Sequence, residues 1–501
     1  MSEGHTSILE QEKKELSFNR QFILSPRSLD IPEDWNSIEL DSRSYLYSHY
    51  NLEFTQSKSN QRTLILLGFL LDPLNPEKTN QQILDAISQI EGFDKVLANT
   101  FGYAGKFILF YKDVDAFKVF HDATGLKELF YFKHKKNIWC ASQPNLIKKY
   151  TELELDENTA QFYSSPIFFK RKERIADTTQ YKSLKHLSAN YHLNLFTGKS
   201  ERYYPDQKLI PVKLDLAVDE SVIILKGIFA AISFRHKLLI AVTAGMDSRM
   251  MLAGSHSLPD KPTYFILKTN NLTDNHFDIK TPKSLFKKMG LMFNIIEYSE
   301  NVDLEIKENI IRTAELINPT HIAPFYNVHY KKHKGFMNII SVSEFARNYY
   351  HYQANSESIS GKTLARLNGF EGIEFIETTY GDWINENAMV FKERGFNILD
   401  MFYWEEKMGN WLANGRTATN TFIDDFSPFN CKNLMTLFLS VDEKYRDRYN
   451  PIFHKKIIER MSKDTLMVPI NGNLKYSVIK WLVILKIYPI YKKIQLYLKA
   501  N

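Results

Sequence analysis

The sequence predicts two unlike halves: an α+β N-terminal region built on antiparallel sheets, then an α/β region with a parallel sheet. Three observations carry this expectation. Up to about residue 210, short apolar, aromatic and β-branched runs recur between turn residues. Beyond about residue 215, such runs alternate with stretches at helical spacing. The chain has 501 residues, too many for one ordinary core when domains run to roughly 100–200 residues. The division is placed at 1–210 and 211–501, the second domain ending in a helical C-terminal tail.

In the first half, "RTLILLGFLL" (62–71), "KFILFYK" (106–112), "AFKVFHD" (116–122) and "ELFYFKHKKNIWCAS" (128–142) read as antiparallel hairpins. Between them, "NQQILDAISQIEGF" (80–93) has apolar residues at helical spacing. In the second half, "SVIILKGIFAAISF" is a helix, "KLLIAVTA" a strand, "SRMMLAGS" a helix, "PTYFILKT" a strand, "IKTPKSLFKKMG" a helix and "FNIIEYS" a strand. Such alternation implies right-handed crossovers and a parallel sheet. Ligands of these sheets bind beyond the carboxyl ends of the strands.

Composition narrows the function. Hydrophobic residues make up 44% and charged residues 24%, enough to bury large cores. The net charge of +6 is spread over 64 basic and 58 acidic residues, a balance that argues against a nucleic-acid partner. Cys140 and Cys431 are the only cysteines, so neither a disulfide framework nor a four-cysteine zinc site can be built, and a reducing cytoplasm fits. The N-terminal segment has acidic residues and no apolar core of a signal peptide. No run approaches the roughly 18 apolar residues of a membrane span. The tail 477–501, broken by Lys480, Lys486, Pro489, Lys492 and Lys493, reads as amphipathic pieces packed on the body, with a weak membrane-surface contact as the alternative.

The chemistry gathers in "KLLIAVTAGMDSRMMLAGS" (237–255). Thr243, Ala244, Gly245, Met246, Asp247 and Ser248 stand where the first strand of the parallel sheet hands over to a helix. Their amides and hydroxyls therefore point toward any anion at the helix N-terminus. The lysine of the common mononucleotide loop is missing.

This segment resembles the pyrophosphate loop of the asparagine synthetase family and its ATP-pyrophosphatase relatives, usually Ser-Gly-Gly-x-Asp-Ser. Further segments in the expected order extend the resemblance over about residues 60–460. "FGYAGKFILFYKDVDAFKVFHDATGLKELFYF", with Asp122, Gly125 and the apolar run 129–132, is similar to the family's N-terminal amidotransferase domain. Asp278 stands ahead of a helix as in the family. "FMNIISVSEFARNYYHY" keeps a Glu as Glu344 and a Tyr as Tyr349, while Ser343 replaces an Asp. "DDFSPFN" keeps Pro428 and Phe429, with Asp424 and Phe426 where the family has Glu and Arg. The resemblance implies an Ntn-hydrolase-like, degenerate class II glutamine amidotransferase domain followed by an ATP-pyrophosphatase-like domain.

It also implies a reaction. The family forms an acyl adenylate from ATP and a carboxylate, releases pyrophosphate, and condenses the adenylate with an amine. By resemblance, Thr243, Gly245 and Ser248, with Ala244 and Met246, form the pyrophosphate cradle. Asp247 holds Mg2+, Glu344 is its acidic and catalytic partner, and adenine lies between the strand ends at Val242 and Leu267. The implied partners are a small-molecule or peptide carboxylate and ammonia or an amine, and a homodimer stays open. The rival reading is a pseudoenzyme that keeps the fold as a nucleotide- or partner-binding module.

Two departures from the family pattern shape the expectation. The chain begins Met1-Ser2-Glu3 where the family frees a catalytic Cys, and a polar segment of some twenty residues follows, so loss of glutamine hydrolysis is expected. A family Lys stands here as Asn450, with Arg446, Arg448 or Lys455 as substitutes. Glu344 has an alternative role as a structural ion-pair partner of Arg347. Elsewhere the readings are plain: His329 and His333 on a surface face rather than a zinc pair, Trp404 and Trp411 as core, and the basic runs 170–172 and 331–334 as solvated faces.

Overall fold

The computed structural model describes residues 2–59, 62–135, 137–269, 272–297, 299–315, 319–351, 354 and 358–470, with isolated positions between 478 and 491. Among them the N-terminal half holds two six-stranded antiparallel sheets. One contains β1 (Phe22–Ser25), β2 (Asn36–Asp41), β3 (Ser44–Ser48), β8 (Phe130–His134), β9 (Asn137–Ala141) and β10 (Leu184–His186), in the order β10-β8-β9-β1-β3-β2. The other contains β4 (Phe54–Ser59), β5 (Arg62–Leu71), β6 (Ala104–Lys112), β7 (Phe117–His121), β11 (Tyr191–Asn194) and β12 (Lys199–Arg202), in the order β12-β11-β7-β6-β5-β4.

The two-residue period of a strand explains how the sheets stack. Along β6, Ile108 and Phe110 join Phe22, Leu24, Tyr131 and Cys140 in a core between the sheets. Phe107, Leu109 and Tyr111 point the other way, onto the helices Asn80–Ser88 and Phe93–Asn99. The first of these helices is started by a capping box between Thr79 and Gln82. Facing antiparallel sheets with helices outside are the layout expected of the first half.

The second half is built on a five-stranded parallel sheet of β13 (Lys237–Ala241), β14 (Thr263–Lys268), β15 (Asn294–Glu297), β16 (Phe336–Ile339) and β17 (Asp424–Phe426), in the order β15-β14-β13-β16-β17. The chain steps outward from β13 to β15, then returns to place β16 on β13's other side. Strand order therefore reverses between β13 and β16, and a crevice opens at their carboxyl ends.

The halves share one apolar cluster, in which Phe69, Leu71 and Leu126 meet Ile240, Phe402 and Trp404. Gly227 allows the closest approach: a Cβ there would lie 1.8 Å from the Pro73 carbonyl oxygen. A π-helical segment, Tyr403–Leu412, carries many of the polar ties between the halves. Trp404 donates to the Ala123 carbonyl at 2.7 Å, Arg202 pairs with Glu405 at 2.6 Å, Lys407 pairs with Glu173, and Glu406 accepts from the Ala176 amide at 3.1 Å.

Two sequence expectations change here. Trp404 is core, but Trp411 is 40% exposed. Residues seven apart share a face of an α-helix, and the wider π turn carries the second off it. His329 is 5% exposed rather than on a solvated face, because the π-helical turn Tyr326–Tyr330 directs it between Phe265 and Phe325. No helix among the described residues is long and apolar enough to cross a membrane. Most of the tail 471–501, and with it the reading of a packed or membrane-surface helix, lies outside the described residues.

Candidate functional site

The last β13 ladder bond is made beyond the strand, where the Val242 amide donates to the Phe265 carbonyl at 2.8 Å. Four residues later the helix Met246–Ser255 begins, with Gly245 at its N-cap and no side chain capping it. The first-turn amides of this helix have no acceptor within it, which leaves partial positive charge at the rim of the sheet. The loop holds its own shape. Ser248 Oγ accepts from the Thr243 amide at 3.0 Å and lies 3.1 Å from Thr243 Oγ1, and Thr243 Oγ1 in turn accepts from the Gly245 amide at 3.2 Å. The Ala244 amide donates to Asp278 Oδ1 at 3.0 Å, so a carboxylate already occupies one anion position.

Across the crevice, β16 runs into the 3-10 turn Ser343–Ala346. Asp247 Oδ1 accepts from the Ser343 amide at 3.1 Å and from the Ser343 hydroxyl. Asp247 Oδ2 lies 2.6 Å from Arg347 Nη2, which is also 3.2 Å from Glu344 Oε1. Glu344 Oε2 accepts from the Tyr403 hydroxyl at 3.2 Å. Since one guanidinium nitrogen touches both carboxylates, their oxygens are no more than about 6 Å apart.

Electrostatics follow from these contacts. Burial works against the Asp247 charge, but Arg347 and the Ser343 hydrogen bonds outweigh it and hold the carboxyl below its usual range. Burial and the nearby Arg347 push His454 down to about 3, so it is neutral and donates through Nε2 to the Ser343 carbonyl at 3.1 Å. Burial, with Glu344 alongside, raises the Tyr403 phenol well above its usual value, and it stays a donor.

The structure thus brings Thr243, Ala244, Gly245, Met246, Asp247, Ser248 and Glu344 to one rim. Thr243, Gly245, Asp247 and Ser248 are partly exposed there, whereas Ala244 and Met246 turn their side chains into the core. Val242 and Leu267 stand near the ends of neighbouring strands, but their side chains pack on opposite faces of the sheet. Of the cations considered as substitutes for the family Lys, Arg446 is 2.9 Å from Asp400, Arg448 lies 3.9 Å over the Tyr349 ring and Lys455 donates to Asn450 Oδ1 at 2.9 Å. The guanidinium between Asp247 and Glu344 belongs to Arg347. A signal for it lay in the sequence: residues i and i+3 of a 3-10 turn eclipse, which sets Arg347 beside Glu344.

Two other polar places deserve comparison. His351, Asp400 and Glu443 offer ligand atoms within 4.8 Å of one another. Yet His351 uses Nε2 toward Asp400 at 3.4 Å and Nδ1 toward Glu443 at 3.5 Å, the geometry of an imidazolium between two carboxylates. Burial opposes its charge, but the two acids push its pKa up to about 9. Asp400 and Glu443 also line a cavity of about 880 Å3, with Val212, Leu214, Phe396 and Arg446 among its walls and none of residues 243–248.

The second place is the start of β1. A helix, Ser2–Leu16, precedes this strand, so Ser2 stands roughly 20 Å of helix away from it. The space beside β1 is only about 30 Å3, lined by Gln21, Lys127, Glu128, Gln143, Thr417 and Asn420 among others. Gln21 donates to the Thr313 carbonyl at 2.7 Å and Asn19 to the Thr421 carbonyl at 2.8 Å. Lys127 donates to the Arg20 carbonyl at 2.7 Å, and burial, reinforced by Lys106, lowers its pKa to about 7.

No family model and no curated protein matches the sequence. Among solved structures, the chain is similar to the allosteric regulatory enzyme of purine biosynthesis, with 11% identity over 58% of this chain and 71% of that one and a TM-score of 0.22. It is also similar to the glutamine phosphoribosylpyrophosphate amidotransferase from B. subtilis complexed with ADP and GMP, with 12% identity over 69% of this chain and 75% of that one and a TM-score of 0.23.

Proposed function

We propose that the chain is an ATP-dependent ligase that activates a carboxylate as an acyl adenylate and transfers the acyl group to ammonia or an amine. One observation carries the reading: the 243–248 loop and the Ser343–Ala346 turn face each other at the carboxyl ends of β13 and β16, where strand order reverses. In the first step a substrate carboxylate oxygen attacks the α-phosphorus of ATP, the Pα–O bond to the β-phosphate breaks, and pyrophosphate leaves. In the second, nitrogen attacks the acyl carbon and AMP leaves. The free amides at the start of the helix Met246–Ser255 and the hydroxyls of Thr243 and Ser248 suit the leaving pyrophosphate. The 30 Å3 space beside β1 admits about one water and no glutamine, which supports free ammonia or an amine as the nitrogen source.

Magnesium is the metal such chemistry ordinarily uses. As arranged, the carboxylates that would bind it do not fit an open cation site, because Arg347 occupies the gap between them. The same observation favours a second reading, a nucleotide-binding module without catalysis. Calorimetric titration with ATP, followed by a pyrophosphate-release assay over a panel of carboxylates and amines, separates the two. Binding with release supports the ligase, binding without release supports the module, and failure to bind ATP sinks both.

A further inference from the structure

Arg347 is set where a divalent cation would have to stand. Its side chain is 9% exposed, while those of Asp247 and Glu344 are 25% and 43% exposed, so the guanidinium lies deeper than the acids it joins. The rest of the coordination is also spoken for. Asp247 Oδ1 takes two hydrogen bonds from Ser343, and Glu344 Oε2 takes one from Tyr403. His454, the other titratable group against this turn, is neutral. Magnesium needs oxygen ligands at about 2.1 Å in near-octahedral order and dehydrates reluctantly, so it has to expel the guanidinium before it can use both carboxylates.

We propose that Arg347 is a built-in counter-ion that occupies the place of a divalent cation between Asp247 and Glu344, lowering the affinity of this pair for metal. The physical ground is charge. Two carboxylates within about 6 Å of each other repel, and one fixed positive charge between them relieves the repulsion. That same charge repels an incoming cation. Removing it leaves a partly buried acidic pair without its counter-charge. The inference deepens the proposed function, since it concerns the rim assigned to ATP, but metal alone tests it whether or not ATP binds.

The experiment is a titration of the full-length chain with Mn2+ alone, followed by electron paramagnetic resonance and calorimetry. Arg347→Ala should bind Mn2+ at least about tenfold more tightly than the parent. Arg347→Gln, which keeps polar contacts and loses charge, should match Arg347→Ala, whereas Arg347→Lys should stay near the parent. Adding Asp247→Asn to Arg347→Ala should remove the gain. If Arg347→Ala does not fold, as judged by its circular dichroism and melting, Arg347→Gln serves the same purpose. Equal Mn2+ affinity in the parent and both uncharged variants, or a gain that survives Asp247→Asn, overturns the proposal.

Discussion

The rim of the parallel sheet and the start of β1 are both places where a strand end meets a helix, yet one is partly exposed and the other is buried. At the rim, Thr243, Gly245 and Ser248 are partly exposed beside helix-start amides that no side chain caps. Beside β1, Gln21, Lys127 and Glu128 are buried, and Thr417, Asn420 and Thr421 from the second half close over them. The contrast follows from topology. An open parallel sheet leaves a crevice at its reversal point whatever its sequence. A strand end inside a two-sheet sandwich has no such crevice once a neighbouring domain and a preceding helix cover it. The difference teaches that exposure at a strand end is set by the type of sheet and by what packs over it.

The largest effect is expected at the closed place. Arg174 and Glu128 form an ion pair with side chains 1% and 5% exposed, and Thr417 donates to the same Glu128 at 2.7 Å. Arg174→Ala should therefore cost about 3–5 kcal/mol of stability by leaving a buried carboxylate without its cation. Denaturant unfolding measures this, and a loss under about 1 kcal/mol would mean that buried charge does not hold the site shut.

The seam between the regions should respond next, to pH. Burial, with Glu173 and Glu405 close by, pushes Glu406 up to about 8. The folded chain thus keeps a proton that the unfolded chain releases near its ordinary value of 4.5. Its contribution is fully present below that value and is lost as pH rises through about 8. Melting temperatures between pH 5 and pH 9 should fall in the parent and fall less in Glu406→Gln. Parallel curves would remove Glu406 from the account.

At the open rim, Ser248→Ala removes the acceptor for the Thr243 amide and loosens the loop. About a tenfold weakening of ATP binding is expected, equivalent to about 1.4 kcal/mol, with little change in melting. A stability loss without an affinity loss would make the loop structural only. The smallest effect is a null one. Ser2→Ala should leave glutamate release from glutamine at the level of a heat-killed control, and release that depends on Ser2 would reopen the first half as an active domain.

Much of this was legible from residue order. Apolar and aromatic runs such as residues 62–71 and 106–112 became β5 and β6, and the alternation after residue 215 became the parallel sheet. The 243–248 loop was readable because an apolar strand, a Gly and a polar helix start are all local signals. Glu405, Glu406 and Asn410 gave no such signal, for a buried acid reads like a surface one. Their partners, Arg202 and the Ala176 amide and carbonyl, lie more than two hundred residues away.

By itself, then, the sequence determined the two sheet types and the strand-loop-helix at residue 243, because hydrophobic pattern and turn chemistry act over a few residues. Only the tertiary structure decided that Arg347, a sequence neighbour of Glu344, would also reach Asp247, and that Thr417 and Thr421 would seal the space beside β1. These are contacts between segments far apart in the chain, set by strand order and domain packing. Charge balance in such a place depends on which side chains meet, and nothing in local periodicity encodes that meeting.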